Sequence, residues 1–237
     1  MSSVRQSIKR RKRGRPVRLE IPKHADQETR KFLIGLLKIK EPEIYEVTGP
    51  IDLTFFSKFA GLKDFEKLSF QPIIPAESID FVGSEDVFET IRRHDCLVHH
   101  PYEAFDAVTN FVRSAAEDKQ VLAIKQTLYR VSGNSPIIAA LIQAAENGKQ
   151  VTVLLELRAR FDEENNINWA VQLEKAGCHV IYGLQGLKTH CKISLVVRQE
   201  ESGIRRMTVT KSKPQKKLAL SLAIDCAMGE FYRHPNA

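Results

Sequence analysis

The chain has 237 residues, of which 43% are hydrophobic, and a formal net charge of +7, so it can bury the core of one large domain or of a small and a medium one. No stretch approaches the ~18 apolar residues of a membrane-spanning helix, and the basic N-terminus lacks the apolar segment of a secretory signal. The four cysteines are scattered without a C-x-x-C pair, which is typical of reduced thiols and predicts a globular, cytoplasmic protein without disulfide or zinc frameworks.

The positive charge is concentrated at the two ends of the chain. Nine of the first 24 residues are Lys or Arg, and residues 205–217 contain six more without any acid. The remainder of the chain is therefore acidic. Basic ends favour a polyanionic partner such as nucleic acid, an anionic membrane or polyphosphate, although they also simply improve solubility.

The first 78 residues predict a partial α+β segment. Apolar and charged residues alternate over 17–21 and favour a strand, and apolar residues at helical spacing over 26–39 favour a helix with Asp26 as its N-cap. A second strand is predicted at 43–49 and a short helix at 52–62. The extended stretch 70–78 contains two prolines, and we place a domain boundary there.

From residue 79 onward, strands and helices alternate. Strands are predicted at 121–129, 149–157 and 178–183, separated by helices at 135–148 and 164–177. This βαβαβ order predicts a parallel sheet with right-handed crossovers, flanked by helices. Only about five residues separate the third strand from the apolar run at 189–197, too few for a crossover helix. The fourth strand is therefore predicted to run antiparallel to the third.

Four side chains suited to binding phosphate are expected at one edge of this sheet. His190 begins the reversed fourth strand with Lys192 on the same face, so both join the carboxyl ends of the parallel strands, where open α/β sheets bind ligands. Arg130 follows the first strand and Arg160 the second. Clustered cations stabilise phosphoryl transfer, and a neutral imidazole can accept a phosphoryl group. The alternative interpretation is a polar strand end with ordinary exposed arginines.

Two further stretches contain metal-binding residue types. Asp162, Glu163 and Glu164 could hold water on a magnesium ion, or could simply favour the N-terminus of the next helix. The segment 94–100 contains three histidines and a cysteine, but strand alternation and the following proline scatter them, which does not favour a zinc site. The sequence contains no P-loop, G-x-G-x-x-G or G-x-S-x-G pattern.

Five stretches, in this order, resemble the type 1 polyphosphate kinase family: RRKRGRPVRLEI, LVHHPYEAFDAV, VLAIKQTLYR, GKQVTVLLELRARFDEENNINWA and GLKTHCK. The resemblance covers about residues 4–206. It implies a phospholipase D-like α/β scaffold and reversible transfer of the terminal phosphate of ATP to polyphosphate through a phosphohistidine. His190, in the H-x-K match with Lys192, is then the phosphoacceptor. Arg130 and Arg160 match arginines at the site for the ATP phosphates, which carry Mg²⁺.

The resemblance also implies a domain organisation and a set of partners. Residues 1–78 correspond to the C-terminal part of a helical middle domain, 79–206 to the first catalytic domain, and 207–237 to a divergent tail of a truncated or frame-shifted product. The partners are ATP, ADP and inorganic polyphosphate, without specific nucleic acid or a membrane span, and a homo-oligomer is compatible with the sequence. We accordingly expect strand 189–197 to lie close to an exposed sheet edge, and this chain alone to show negligible turnover.

Two other functions remain open at this point. A phospholipase D-like phosphodiesterase also uses H-x-K, but the positions that would extend its motif with an aspartate carry Val196 and Val197. A noncatalytic module that binds polyanions through the basic ends is the second alternative.

Overall fold

The computed structural model describes residues 2–11, 13–131, 133–159, 161–183, 189, 192–212 and 228–233. The chain divides into two compact units, one of residues 6–72 and one of residues 73–237 with residues 1–5. None of the helices in these described ranges is both long and apolar enough to span a membrane.

The smaller unit is built around a pair of short parallel strands. Helix α1 spans Ser2–Arg11, and strands β1 (Leu19–Pro22) and β2 (Ile44–Val47) pair in parallel, with helix α2 (Gln27–Leu37) between them. Asp26 caps α2, because its carboxylate accepts a 2.8 Å hydrogen bond from the Thr29 amide. The predicted N-cap is therefore confirmed. The helix expected at 52–62 is reduced to α3 (Phe56–Phe59).

The larger unit is a seven-stranded mixed sheet flanked by helices. Its helices are α4 (Val87–Arg93), α5 (Asp106–Glu117), α6 (Pro136–Glu146) and α7 (Glu163–Lys175). Its strands are β3 (Cys96–His99), β4 (Val121–Leu128), β5 (Gln150–Leu155), β6 (His179–Tyr182), β7 (Ile193–Glu200), β8 (Gly203–Ser212) and β9 (Met228–Arg233), in the spatial order β3-β9-β8-β7-β4-β5-β6. Strands β4, β5 and β6 are parallel, and β7 is antiparallel to β4. The predicted fold class is confirmed.

Local sequence signals account for the crossover between β4 and β5. Pro136 occupies the first turn of α6, where its missing N–H breaks no helical hydrogen bond. After the helix, Gly148 has a φ of 81°, a left-handed conformation that glycine adopts without strain. The next strand buries Val151, Val153 and Leu155 at alternate positions.

The expectation that the H-x-K strand lies close to an exposed edge is wrong. Strand β8 pairs with β7 along its whole length, from Ile193 opposite Thr210 to Glu200 opposite Gly203, and β9 pairs with β8. The hairpin forms because alternation continues beyond Arg206, with Met207 and Val209 buried. Strand β7 therefore lies inside the sheet, with a neighbouring strand on each side.

A carboxylate surrounded by arginines fixes this hairpin to the rest of the unit. Glu200, at the end of β7, accepts hydrogen bonds from Arg92 on α4 (3.2 Å), Arg198 on β7 (3.2 Å) and Arg205 on β8 (2.7 Å). Its side chain is only 8% exposed. Burial opposes ionisation of Glu200, but the hydrogen bonds from Arg205 and Arg92 outweigh it and hold the pKa below its ordinary value.

We expect Glu200→Gln to lower the free energy of unfolding by about 2 kcal/mol or more at pH 7, because three guanidinium groups would lose their buried counter-charge. Since the pKa of Glu200 is lower in the folded state, its contribution is fully present above pH ~4.5 and is lost as the pH falls through the folded-state pKa. Urea unfolding at pH 7 and at pH 4 measures both effects. The control is Glu201→Gln, an exposed neighbour in the hairpin turn; equal destabilisation by the two variants would contradict the role given to Glu200.

Candidate active site

The start of β7 lies beside the carboxyl end of β4. Ser194 is opposite Gln126 in the antiparallel register, and their side chains are hydrogen bonded. The Ile193 amide donates a 2.8 Å hydrogen bond to the Thr127 hydroxyl. The predicted reversal of this strand is confirmed, and it brings Lys192 and the start of β7 to the edge at which β4, β5 and β6 end.

Two amide side chains of α7 hold the strand ends together. Asn166 is fully buried, and its Nδ2 donates to the main-chain oxygens of Tyr129 (2.7 Å) and Glu156 (2.9 Å). Asn165 Nδ2 donates to the main-chain oxygen of Val131 at 2.7 Å. The segments that follow β4 and β5 are therefore fixed by hydrogen bonds from side chains in the first part of α7, and not by further strand pairing.

Glu156 connects the end of β5 to the segment before the H-x-K sequence. Its side chain is buried, and Oε1 accepts a 2.9 Å hydrogen bond from the Arg158 amide. The other oxygen, Oε2, accepts a 2.9 Å bond from the Thr189 amide. A Cβ at Gly183 would come within 3.2 Å of the Thr189 hydroxyl and 3.5 Å of Glu156 Oε2, so the absence of a side chain there permits this close approach.

Arg130 lies at the rim of the site and is paired with an acid of the next crossover. Its Nε is 3.0 Å from Asp162 Oδ2, and the two side chains are 56% and 33% exposed. An ion pair this exposed contributes little to stability, and an incoming anion can compete for the guanidinium. Asp162 immediately precedes α7, while Glu163 and Glu164 lie in its first turn, where acids favour the helix N-terminus.

Lys192 and Arg130 line one cavity of about 570 Å³. The Lys192 ammonium lies 4.8 Å from the centre of the Tyr129 ring, a cation–π distance that directs the lysine towards the end of β4. The hydrogen-bonded pair Gln126 and Ser194 lies in the wall, as does buried His100, whose Nδ1 is 3.0 Å from the Glu103 carbonyl oxygen. The cavity thus combines two cations with neutral polar and apolar walls.

Of the four predicted site residues, the structure brings Arg130 and Lys192 together. Arg160 and His190 lie outside the described residues. Ala159 and Phe161 flank Arg160, and Phe161 is 95% exposed with a φ of 71°. Thr189, which precedes His190, is held by Glu156.

The acids near this rim do not form a closed metal cage among the described residues. Asp162 is engaged by Arg130, and the described part of the chain gathers three metal-ligand types within bonding reach of one another only at Asp80, His94 and Cys96. An Mg²⁺ ion that keeps several waters and arrives on a phosphate chain needs no such cage.

Sequence reasoning missed Glu156 and Asn166. Glu156 reads as one more residue of the strand VLLEL, and Asn166 as a helix-start residue. Their roles could have been suspected from their positions near the carboxyl ends of predicted strands. Main-chain groups there no longer pair with a neighbouring strand and need other hydrogen-bond partners.

The comparisons with known proteins agree on one family. A family model described as Polyphosphate kinase C-terminal domain 1 matches residues 86–212, and one described as Polyphosphate kinase middle domain matches residues 1–59. A polyphosphate kinase of Halalkalibacterium halodurans is 52% identical over 209 residues, and one of Bacillus anthracis is 53% identical over 208 residues. These alignments cover 87% and 86% of this chain but 30% and 29% of the relatives, so the chain spans about 30% of their length.

A solved structure gives the same result. The crystal structure of polyphosphate kinase from Porphyromonas gingivalis superposes with a TM-score of 0.69 at 25% identity, covering 92% of this chain and 33% of that chain. The resemblance read from the sequence motifs is confirmed.

We expect Glu156→Gln to loosen the segment before the H-x-K sequence, because an amide nitrogen would replace one of the two oxygens that accept from Arg158 and Thr189. Hydrogen–deuterium exchange of the peptide containing Thr189 should accelerate about tenfold, the equivalent of 1.4 kcal/mol. Glu146→Gln, at an exposed position at the end of α6, is the matched control. Unchanged exchange in Glu156→Gln would show that the carboxylate does not hold this segment.

Proposed function

The chain belongs to the polyphosphate kinase family, and on that premise we propose that it carries the phosphoacceptor side of a site that transfers the terminal phosphate of ATP to polyphosphate. One observation carries this proposal: Arg130 and Lys192 line one cavity, and Thr189, which precedes His190 in sequence, is held by Glu156 directly after the neighbouring strand β5. Phosphoryl transfer needs cations and a nucleophile. Arg130 and Lys192 would supply the cations, and the imidazole of His190, which lies between Thr189 and Lys192 in sequence, would be the nucleophile.

In this proposal, an imidazole nitrogen of His190 attacks the γ-phosphorus of ATP. A P–N bond forms as the bond to the β,γ-bridging oxygen breaks, and ADP leaves. In the second step, the terminal oxygen of polyphosphate attacks the phosphohistidine, and the P–N bond breaks. Arg130, Arg160 and Lys192 balance the charge on the transferred and leaving oxygens, and both steps are reversible.

Mg²⁺ fits this proposal as an ion carried by the ATP phosphates, where it neutralises charge on the β- and γ-oxygens. The residues that would face it are Arg130 and Arg160, whose guanidinium groups bind phosphate and cannot ligate a metal. Release of Arg130 from Asp162 would leave that carboxylate at the rim, where it could bind a water of the hydrated ion.

The phosphodiesterase alternative receives less support. An acid beyond the lysine of H-x-K would have to reach the site, but Val196 is fully buried within β7 opposite Ile124. We also propose that residues 1–78 and 79–206 correspond to the family's middle and first catalytic domains, and that the protein acts in the cytoplasm on ATP, ADP and polyphosphate.

The first test is covalent labelling. Incubation with γ-labelled ATP and Mg²⁺ should produce acid-labile protein phosphate that His190→Ala abolishes, because the P–N bond would then have no acceptor nitrogen. His179→Ala, at an exposed position on β6, should label like the unchanged chain. Acid-labile label that survives in His190→Ala would refute the assignment, and salt-sensitive polyphosphate binding without any label would favour a polyanion-binding module.

A second test addresses Arg130. Arg130→Lys should weaken ATP or polyphosphate binding about tenfold although the charge is kept, because an ammonium cannot form the two parallel hydrogen bonds of a guanidinium. Arg160→Lys should behave in the same way. Arg113→Lys, exposed on α5 and hydrogen bonded to Asn110 on the same helix, is the control. Equal affinities in all three variants, measured by calorimetry, would identify Arg130 and Arg160 as ordinary surface residues.

A further inference from the structure

Three metal-ligand side chains meet at the start of β3 in the larger unit. The ligand atoms of Asp80, His94 and Cys96 all lie within 4.8 Å of one another. His94 Nε2 is 3.0 Å from Asp80 Oδ1, and the Cys96 thiol lies 3.6 Å from the His94 main-chain oxygen. None of the three lines the candidate active-site cavity.

The local backbone sets this arrangement. His94 ends α4 with extended dihedral angles, and Cys96 follows two residues later as the first residue of β3, so the two side chains project to the same side. Asp80 comes from the turn that precedes α4. That turn is fixed by a Ser84–Thr90 hydroxyl contact of 2.6 Å and by main-chain bonds from Phe81 and Val82 to Ser78.

We propose that Asp80, His94 and Cys96 bind a divalent transition-metal ion of the Zn²⁺ class. Zinc bonds of about 2.0–2.3 Å to carboxylate, imidazole and thiolate place tetrahedral ligand atoms roughly 3.3–3.8 Å apart. The widest pair would contract by up to about 1.3 Å and the 3.0 Å His94–Asp80 contact would widen slightly, both within the reach of side-chain rotation. A thiolate and an imidazole select Zn²⁺ or Co²⁺ over Mg²⁺ and Ca²⁺, which prefer oxygen.

Solvent access is compatible with such a site. The His94 side chain is 53% exposed and that of Asp80 is 23% exposed, and a cavity of about 370 Å³ opens beside both. Cys96 is 3% exposed and closes the inner side. Burial raises the pKa of its thiol to about 12, and the carboxylates of Asp80 and Asp95 add to this shift. Both effects disfavour the thiolate, so a bound ion would have to offset them with its own charge as the thiol proton passes to the buffer.

The open fourth position would be filled by water, since three protein ligands leave a tetrahedral zinc ion incomplete. The site would join the turn at Asp80 to the first residue of β3, and so would stabilise the strand that pairs with β9. This function is separate from phosphoryl transfer and does not depend on it.

The test is titration of the full chain, without a histidine tag, with Co²⁺. We expect a sulfur-to-cobalt charge-transfer band that saturates at one equivalent and disappears on addition of Zn²⁺. Cys96→Ser should abolish the band, and His94→Gln should weaken Co²⁺ binding about tenfold or more. Cys178→Ser should leave it unchanged, because Cys178 is also buried but its thiol donates to the Leu141 carbonyl and lies outside the Asp80, His94 and Cys96 cluster.

His94→Gln keeps the test decisive if Cys96→Ser does not fold, since His94 is largely exposed and its replacement spares the core. Near-ultraviolet circular dichroism of each variant establishes the fold. No charge-transfer band at millimolar Co²⁺, an unchanged affinity in His94→Gln, or a band that persists in folded Cys96→Ser would each overturn the proposal.

Discussion

The side-chain amide of Asn166 connects the ends of two parallel strands, and the candidate site is arranged around that connection. Its two hydrogen bonds reach the main-chain oxygens of Tyr129 and Glu156 from inside the protein. Arg130 directly follows Tyr129, and the carboxylate of Glu156 holds Thr189. A single buried amide thus sets the position of a rim cation relative to the segment that leads to His190. Removing it would leave two carbonyl groups to be satisfied in a dry interior, at roughly 1–3 kcal/mol each.

Arginine–carboxylate pairs serve two different purposes in the larger unit. Around Glu200 the carboxylate is buried under three guanidinium groups, so the contacts hold elements together and are not available to a ligand. At the rim, Arg130 and Asp162 are both partly exposed, so water weakens their attraction and a phosphate can displace the carboxylate. The pairs consist of the same chemical groups, but burial makes those around Glu200 structural, whereas exposure lets a ligand compete for Arg130.

Most of the fold could be predicted from strong local signals in the sequence. Asp26, Pro136 and Gly148 mark helix ends by mechanisms that act within a few residues, and a short link after the third strand forces reversal. Strand β8 was missed because no family motif covers it, although Gly203, with a φ of 117°, and the alternation at Met207 and Val209 were available as hairpin signals. Glu156 was missed because its partners lie two and 33 residues away, and sequence alone does not reveal the longer contact. Arg160 and His190 remain predictions.

The placement of β7 between β4 and β8 has a consequence for how this sequence can change in length. A residue added or lost within β7 would rotate every later side chain of the strand to the opposite face and disturb both ladders at once, so the side chains beyond the change could not keep their directions. Insertions and deletions in homologous chains should therefore avoid 193–200, where both ladders fix the register, even where the amino acids themselves differ.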